Sequence, residues 1–217
     1  MSQRRRDEQE ALNAAEVMAW IEHLAVHPEV PIDHNLIGHI NRLTLAGTER
    51  DFWAGRIRPE VDWQQPQDWS RPRAIVALEE PGLAVADERT GELLVKFPSD
   101  REVGALFIEL LSWLNSKPAS ALHPVVRAAI FHQRFTAIHP FRDGNGRTAR
   151  ALTTLILWRN GFSLEVLTLQ RILDERREDY MATLRQADRG EMAGWVGFFV
   201  EAVRDALREG RQPLPTG

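Results

Sequence analysis

Residues 139–150 read His-Pro-Phe-Arg-Asp-Gly-Asn-Gly-Arg-Thr-Ala-Arg. This stretch combines a titratable base, a carboxylate, two glycines around an asparagine and two arginines spaced by three. Glycine at 144 and 146 lets backbone N–H groups approach an anion without interference from a Cβ. The helical pattern that follows brings the positive end of a helix dipole to the same place. A phosphate therefore fits the turn Gly144-Asn145-Gly146, although Gly and Asn are also ordinary turn and cap residues. Arg147 and Arg150 share one helix face, where their guanidinium forks suit the oxygens of a second and third phosphate. The alternative for this pair is a solvated basic face. Asp143 would repel a phosphate unless a divalent cation bridged the two, which implies an oxygen-preferring Mg²⁺; a helix N-cap is the plainer role. His139 enters the turn four residues earlier, where its imidazole can take a proton from a hydroxyl attacking the phosphate. His23, His27, His34, His39, His123 and His132 have no comparable setting and read as surface or core histidines. Phe141 reads as an inward anchor of the loop.

Helical periodicity surrounds the motif. Leu12, Ala15, Ala19 and Leu24 predict one opening helix, and Leu36, Ile40 and Leu43 a second. Phe52 to Arg73 interleaves Trp53, Trp63 and Trp69 with glycine and proline, an irregular connection pinned by aromatic anchors. Ile75 to Leu78 and Leu93 to Phe97 are short apolar runs that flank Pro81-Gly82 and Thr90-Gly91, predicting a small β-hairpin flap. Val103, Leu106, Phe107, Leu110, Leu111 and Leu114 mark an amphipathic helix. Further helices follow over His123 to Ala137, Asn145 to Arg159, a stretch carrying Leu169, Ile172, Leu173, Tyr180 and Leu184, and Met192 to Arg208. The expected architecture is a mostly α bundle with one β-flap. It divides into an N-terminal helix over 1–30, a core domain over 31–208 and a disordered tail over 209–217.

Composition narrows the function classes. The 217 residues, 43% of them hydrophobic, suffice for a sizeable core. A net charge of −4 offers no global attraction to a polyanion, so no nucleic-acid partner is expected. The absence of cysteine excludes a disulfide framework and thiolate metal sites and suits a reducing compartment. Without a leader pattern or an apolar run near the ~20 residues that span a bilayer, a cytoplasmic protein with no membrane partner is expected.

The dodecapeptide resembles the signature of Fic proteins, His-Pro-Phe-x-Asp-Gly-Asn-Gly-Arg-x-x-Arg, at every defined position. The likeness extends less specifically to Glu10–Leu24, to a Gly-x-x-Arg loop within Arg50–Arg58, to the run Pro124–His139 and to the helix from Asp179-Tyr180 to Gly190. The resemblance implies an α-helical Fic fold and transfer of AMP from ATP to a Ser, Thr or Tyr hydroxyl of a target protein, with release of pyrophosphate. In that scheme His139 is the general base and Asp143 holds Mg²⁺. Gly144, Asn145 and Gly146 form the anion hole, and Arg147 and Arg150 hold the rest of the triphosphate. Tyr180 is a candidate wall of the base pocket. The segment Ile75 to Phe97 corresponds to the family flap, which adds an extended segment of the target as a strand.

Many relatives carry an inhibitory pattern Ser/Thr-x-x-x-Glu-Gly/Asn. It is not found in this sequence: Glu209-Gly210 lacks the hydroxyl residue, and Thr44 to Glu49 misses by one position. Three expectations remain open: an uninhibited core, a shortened chain, or restraint by a separate antitoxin-like inhibitor. A homodimer through the N-terminal helices is a further expectation. Transfer of another nucleotide or phosphate-containing group, and a non-enzymatic nucleotide-binding regulatory module, stand as alternatives. A DNA-binding regulator would need an appended basic module, for which neither end has room.

Overall fold

A computed structural model describes residues 2–58, 82–86, 93–162 and 166–209. Helix α1, Gln3–Ala25, is capped by the Ser2 side chain, and α2, His34–Leu45, by Asp33, whose carboxylate accepts from Leu36 N–H at 2.9 Å. The helix α3, Asp100–Leu114, opens with a reciprocal capping box between Ser99 and Glu102. A single turn, α4, Lys117–Ser120, leads to α5, Pro124–Ile138, which begins on a proline at its first position. Then come α6, Asn145–Trp158, α7, Val166–Glu175, α8, Arg177–Asp188, and α9, Met192–Glu209. Among the described residues, no helix is long and apolar enough to cross a membrane.

The core is built around α5 and α6, which pack on each other. Ala128 and Ala129 of α5 and Ala149 and Ala151 of α6 are buried, and such small side chains permit close approach of the two axes. Phe131 and Phe135 of α5, Leu152 and Leu155 of α6, and Trp195 and Phe199 of α9 fill the surrounding space. Trp195 satisfies its indole by donating to the Ala129 carbonyl at 2.7 Å. Val17, Ile21 and Leu24 bring α1 into the same cluster.

Three expectations change at this level. The buried stripe of α1 runs Asn13, Val17, Ile21, Leu24, and Leu12 is 66% exposed, with Ala15 and Ala19 also on the solvent side. Alanine is nearly neutral as a face marker, and the true stripe contains an asparagine, which donates to the Thr44 and Ala46 carbonyls. The stretch from Leu169 to Leu184 is two helices and not one, because the chain breaks at Arg176 (φ −97°, ψ 33°), whose guanidinium pairs with Asp205 of α9 at 2.7 Å. The hairpin exists with a different first strand. Strand β1, Gly82–Ala86, runs antiparallel to β2, Leu93–Ser99, with Ala84 opposite Lys96 and Val85 opposite Val95. Gly82 therefore opens a strand where a turn was expected, and Ile75–Leu78 and Gln212–Gly217 lie outside the described residues. Because β2 packs on α3 and α5, the flap stands beside the C-terminal end of α5.

Candidate active site

That end of α5 is His139, which adopts the left-handed conformation (φ 52°, ψ 59°), the one non-glycine residue with positive φ among those described. Such a conformation costs about 1–3 kcal/mol and persists where its surroundings over-determine it. Here the surroundings are a buried arginine. Arg58 is fully buried and donates to the carbonyls of His139 (3.0 Å), Ile138 (3.2 Å) and Pro98 (3.3 Å). Its charge is met by Asp100 at 2.8 Å, and the second oxygen of Asp100 takes Arg142 at 3.3 Å. Burial lowers the pKa of Arg58, and that of Arg142 to about 10, while Asp100 opposes both shifts, so both guanidinium groups stay charged at neutral pH. Arg142 also lies over the Trp53 ring at 5.6 Å.

The His139 ring stacks on Phe97 of β2, with centroids 3.8 Å apart. Its Nδ1 lies 3.2 Å from the Thr136 carbonyl. A carbonyl can only accept, so Nδ1 carries the proton and Nε2 keeps its lone pair. Desolvation, reinforced by the Arg58 charge, pulls the pKa down to about 4 against the opposing pull of the Thr136 carbonyl and Asp143. At neutral pH the ring is a neutral base.

The turn after it is held from two sides. The Asn145 side chain accepts from Phe141 N–H at 2.9 Å and donates to Phe141 C=O at 2.7 Å, so it closes the loop and is itself buried. Phe141 is fully buried, with Phe107 and Phe135 as ring neighbours. From α2, Asn41 donates to the Asp143 carbonyl at 3.0 Å and to Thr148 Oγ1 at 3.2 Å. Gly144, the cap of α6, has φ +76°, and a Cβ there would stand 2.8 Å from Asn41 Nδ2 and 2.9 Å from Thr44 Oγ1. Both its backbone and its surroundings require glycine. At Gly146 a Cβ would meet only Arg150 Nη1, at 3.9 Å, so packing leaves open space above the helix end. The first bond of the α6 ladder runs from Thr148 N–H to Gly144 C=O. The N–H groups of Asn145, Gly146 and Arg147 are then without intrahelical partners, as at any helix start.

This helix start borders a cleft of about 660 Å³ lined by His139, Asp143, Gly144, Asn145, Gly146, Arg147 and Arg150, together with Arg6, Arg50 and Arg177. Five arginines and the carboxylates Glu10, Glu49 and Asp143 make it locally positive in an acidic chain. Asp143 is not the helix cap. One of its oxygens accepts from Gly144 N–H at 2.7 Å and the other from Arg50 at 2.8 Å. Arg147 is drawn to Glu10 at 3.3 Å and to Asp143 at 3.8 Å, whereas Arg150 has a distant carboxylate, Asp174 at 3.9 Å, and a buried Nε without a hydrogen-bond partner. Among the described residues no group of three or more His, Cys, Asp or Glu is placed to hold a metal. A single carboxylate nevertheless suits Mg²⁺, which commonly takes one or two protein carboxylates and fills its other positions with phosphate and water.

The structure brings the expected residues together with one exception. Tyr180 does not line the cleft. It is 8% exposed, and its hydroxyl lies 2.8 Å from His132 Nε2 beneath the α6 helix. An aromatic side chain that can hydrogen-bond serves the core here. Reading the motif leaves out Arg50, Asp100, Arg142, Asn41, Thr44 and Phe97. Of the support beneath His139, Arg58 carries a local signal, the Gly55-x-x-Arg58 spacing.

The Fic/DOC family matches residues 31–157. A protein adenylyltransferase fic-1 of Caenorhabditis briggsae is 40% identical over 90 residues, which are 42% of this chain and 17% of that protein. A protein adenylyltransferase Fic of Nematostella vectensis is 43% identical over 95 residues, 44% of this chain and 21% of that protein. The matched segment thus spans about a fifth of the length of these curated relatives. Among solved structures, a Fic family protein from Desulfovibrio desulfuricans has a TM-score of 0.70 at 28% identity and covers 97% of this chain and 56% of its own. Fic-1 of Caenorhabditis elegans shares the fold, with a TM-score of 0.65 at 24% identity over 94% of this chain and 50% of that one.

Proposed function

The chain belongs to the Fic/DOC family, and from that premise we propose that it transfers AMP from ATP to a Ser, Thr or Tyr hydroxyl of a target protein. The observation that carries this reading is the unprotonated Nε2 of His139 in the same cleft as the start of α6, where three N–H groups have no intrahelical partner. The target hydroxyl gives its proton to Nε2 as its oxygen forms a bond to the α-phosphorus. The bond from that phosphorus to the bridging oxygen breaks, and pyrophosphate leaves. The N–H groups at Asn145, Gly146 and Arg147 meet charge on the phosphate oxygens, and Arg147 and Arg150 take the remainder. Mg²⁺ would be held by Asp143 in competition with Arg50 and would supply neutralisation of the phosphate charge. Glycine at 146 leaves room for the nucleotide to come close to the backbone.

A protein substrate suits the flap. A groove of about 940 Å³ between β2, α3, α5 and the α8–α9 connection begins at Phe97 and Ile138, next to His139. An extended target segment paired with the flap would continue into this groove while its hydroxyl reaches Nε2.

The test is incubation with Mg²⁺ and ATP labelled in parallel at the α- or the γ-phosphate, beside His139→Ala. Label transferred to protein from α-labelled ATP, lost in the variant, is the expected result. Label from the γ position would show phosphate transfer and overturn the reading.

A further inference from the structure

Pairing an extended target with the flap reads main-chain groups and leaves the choice of side chains to the groove beside it. That groove has an apolar part and a cationic part. Leu106, Leu110 and Trp113 of α3 and Ile130 of α5 line the first, and they end beside Phe97 and Ile138, next to His139. Lys96 of β2, Arg134 of α5, Arg185 of α8 and Arg189 just after it line the second, and all four are exposed. Two carboxylates share the groove, Glu109 and Asp188. Cations thus outnumber carboxylates two to one here, in a chain whose net charge is −4.

The Asp188 carboxylate is already engaged. Gln133 Nε2 donates to it at 2.7 Å, a bond that ties α5 to the end of α8. Arg134 follows Gln133 in the chain and Arg189 follows Asp188, so the same bond gathers arginines from two elements at one place. Among the described residues, the side chains of Arg134, Arg185 and Arg189 have no hydrogen bond or ion pair. Arginines elsewhere are answered, Arg50 by Asp143, Arg171 by Glu175 and Arg176 by Asp205. Arg185 in the last turn of α8 and Arg189 at its cap suit the negative end of that helix dipole. No such role falls to Arg134, which stands inside α5.

We propose that the groove selects targets whose extended segment carries an acidic side chain close to the modified hydroxyl, received by Arg134, Arg185 and Arg189. Trp113 and its apolar neighbours take a hydrophobic side chain of the same segment. The spacing follows from the helix. Arg134 precedes His139 by five residues, which is about 7.5 Å along α5 at 1.5 Å per residue. An extended chain advances about 3.3 Å per residue, so the acid falls about two to four residues from the hydroxyl once the reach of an arginine is included. An exposed carboxylate in a target meets cations here without having to displace a carboxylate from them. This inference rests on the reading that a protein hydroxyl is brought to His139 from this groove.

The test offers a library of short peptides, each with a central Ser, Thr or Tyr and random flanks, to the immobilised full chain. The selection is repeated with Arg134→Glu and with the double variant Arg185→Glu, Arg189→Glu. Asp and Glu should be enriched within about four residues of the central hydroxyl. Both charge-reversed variants should shift that enrichment toward Lys and Arg, a gain that a damaged fold cannot produce. In a selected peptide, exchanging the acid for lysine should weaken binding about two- to fivefold per arginine met, and less at high salt. No enrichment of acidic residues, an acidic preference that neither variant shifts, or no peptide enriched at all would overturn the inference. Acidic peptides that bind but take no label from α-labelled ATP would remove only the activity proposed above. Label passing equally to acidic and basic peptides would keep that activity and remove this inference.

Discussion

Replacing Asp100 by Asn tests the support beneath His139 at constant volume. In the native protein a 3%-exposed carboxylate answers two guanidinium groups, Arg58 at 2.8 Å and Arg142 at 3.3 Å, with side chains 0% and 3% exposed. Asn can still accept a hydrogen bond, but it removes the carboxylate charge that answers Arg58 and Arg142. Removing one partner of a buried pair costs about 3–5 kcal/mol, because the remaining charge is desolvated and uncompensated. For a chain of this length each kcal/mol moves Tm by about 2–4 °C, so Asp100→Asn should lower Tm by about 6–20 °C. Thermal unfolding followed by circular dichroism reads the shift. Transfer activity assayed well below Tm should fall too, since Arg58 also holds the carbonyls of Ile138 and His139. A Tm loss smaller than about 3 °C would refute the view that this buried triad holds His139 in its left-handed conformation.

His139→Ala should reduce AMP transfer by ~10²- to 10⁴-fold, the range for a lost general base, while calorimetry finds ATP affinity nearly unchanged. Gly144→Ala places a Cβ at φ +76° and within 2.9 Å of Asn41 and Thr44 side-chain atoms; the backbone alone costs about 1–2 kcal/mol, and both Tm and ATP affinity should fall. His132 and His139 are held neutral by burial, with pKa values lowered to about 3 and about 4. The unfolded chain therefore binds more protons than the folded one below the ordinary histidine value near 6.5. Stability from these two groups is complete above about pH 6.5 and is lost as pH falls toward those lowered values. Melts in a pH series check this, and a Tm that rises on acidification through that window would contradict it.

The dodecapeptide and the helical periodicities determined the fold class, the family and the residues around the cleft, because each is written in contiguous spacing. His139, Asp143 and Arg147 lie within nine residues and one turn, so any fold that makes Asn145 a helix start brings them together. The tertiary structure decided what local spacing cannot carry. Leu12, Ala15 and Ala19 read as a buried face and lie outside, since the stripe that meets α2 passes through Asn13, whose side-chain amide donates to carbonyls 31 and 33 positions away. The break at Arg176 depends on an ion pair to another helix, and the first strand of the flap on which residues β2 can reach. Tyr180 reads from sequence as a pocket wall because its chemistry suits one; burial beneath α6 against His132 makes it part of the core instead. Most of all, the state of His139 comes from long-range contacts. Spacing names a histidine, but Arg58 from 81 residues upstream holds its backbone, and Phe97, Arg58 and the Thr136 carbonyl decide that its Nε2 is bare. Protonation is set by desolvation and neighbouring charge, and neither exists until the chain has packed.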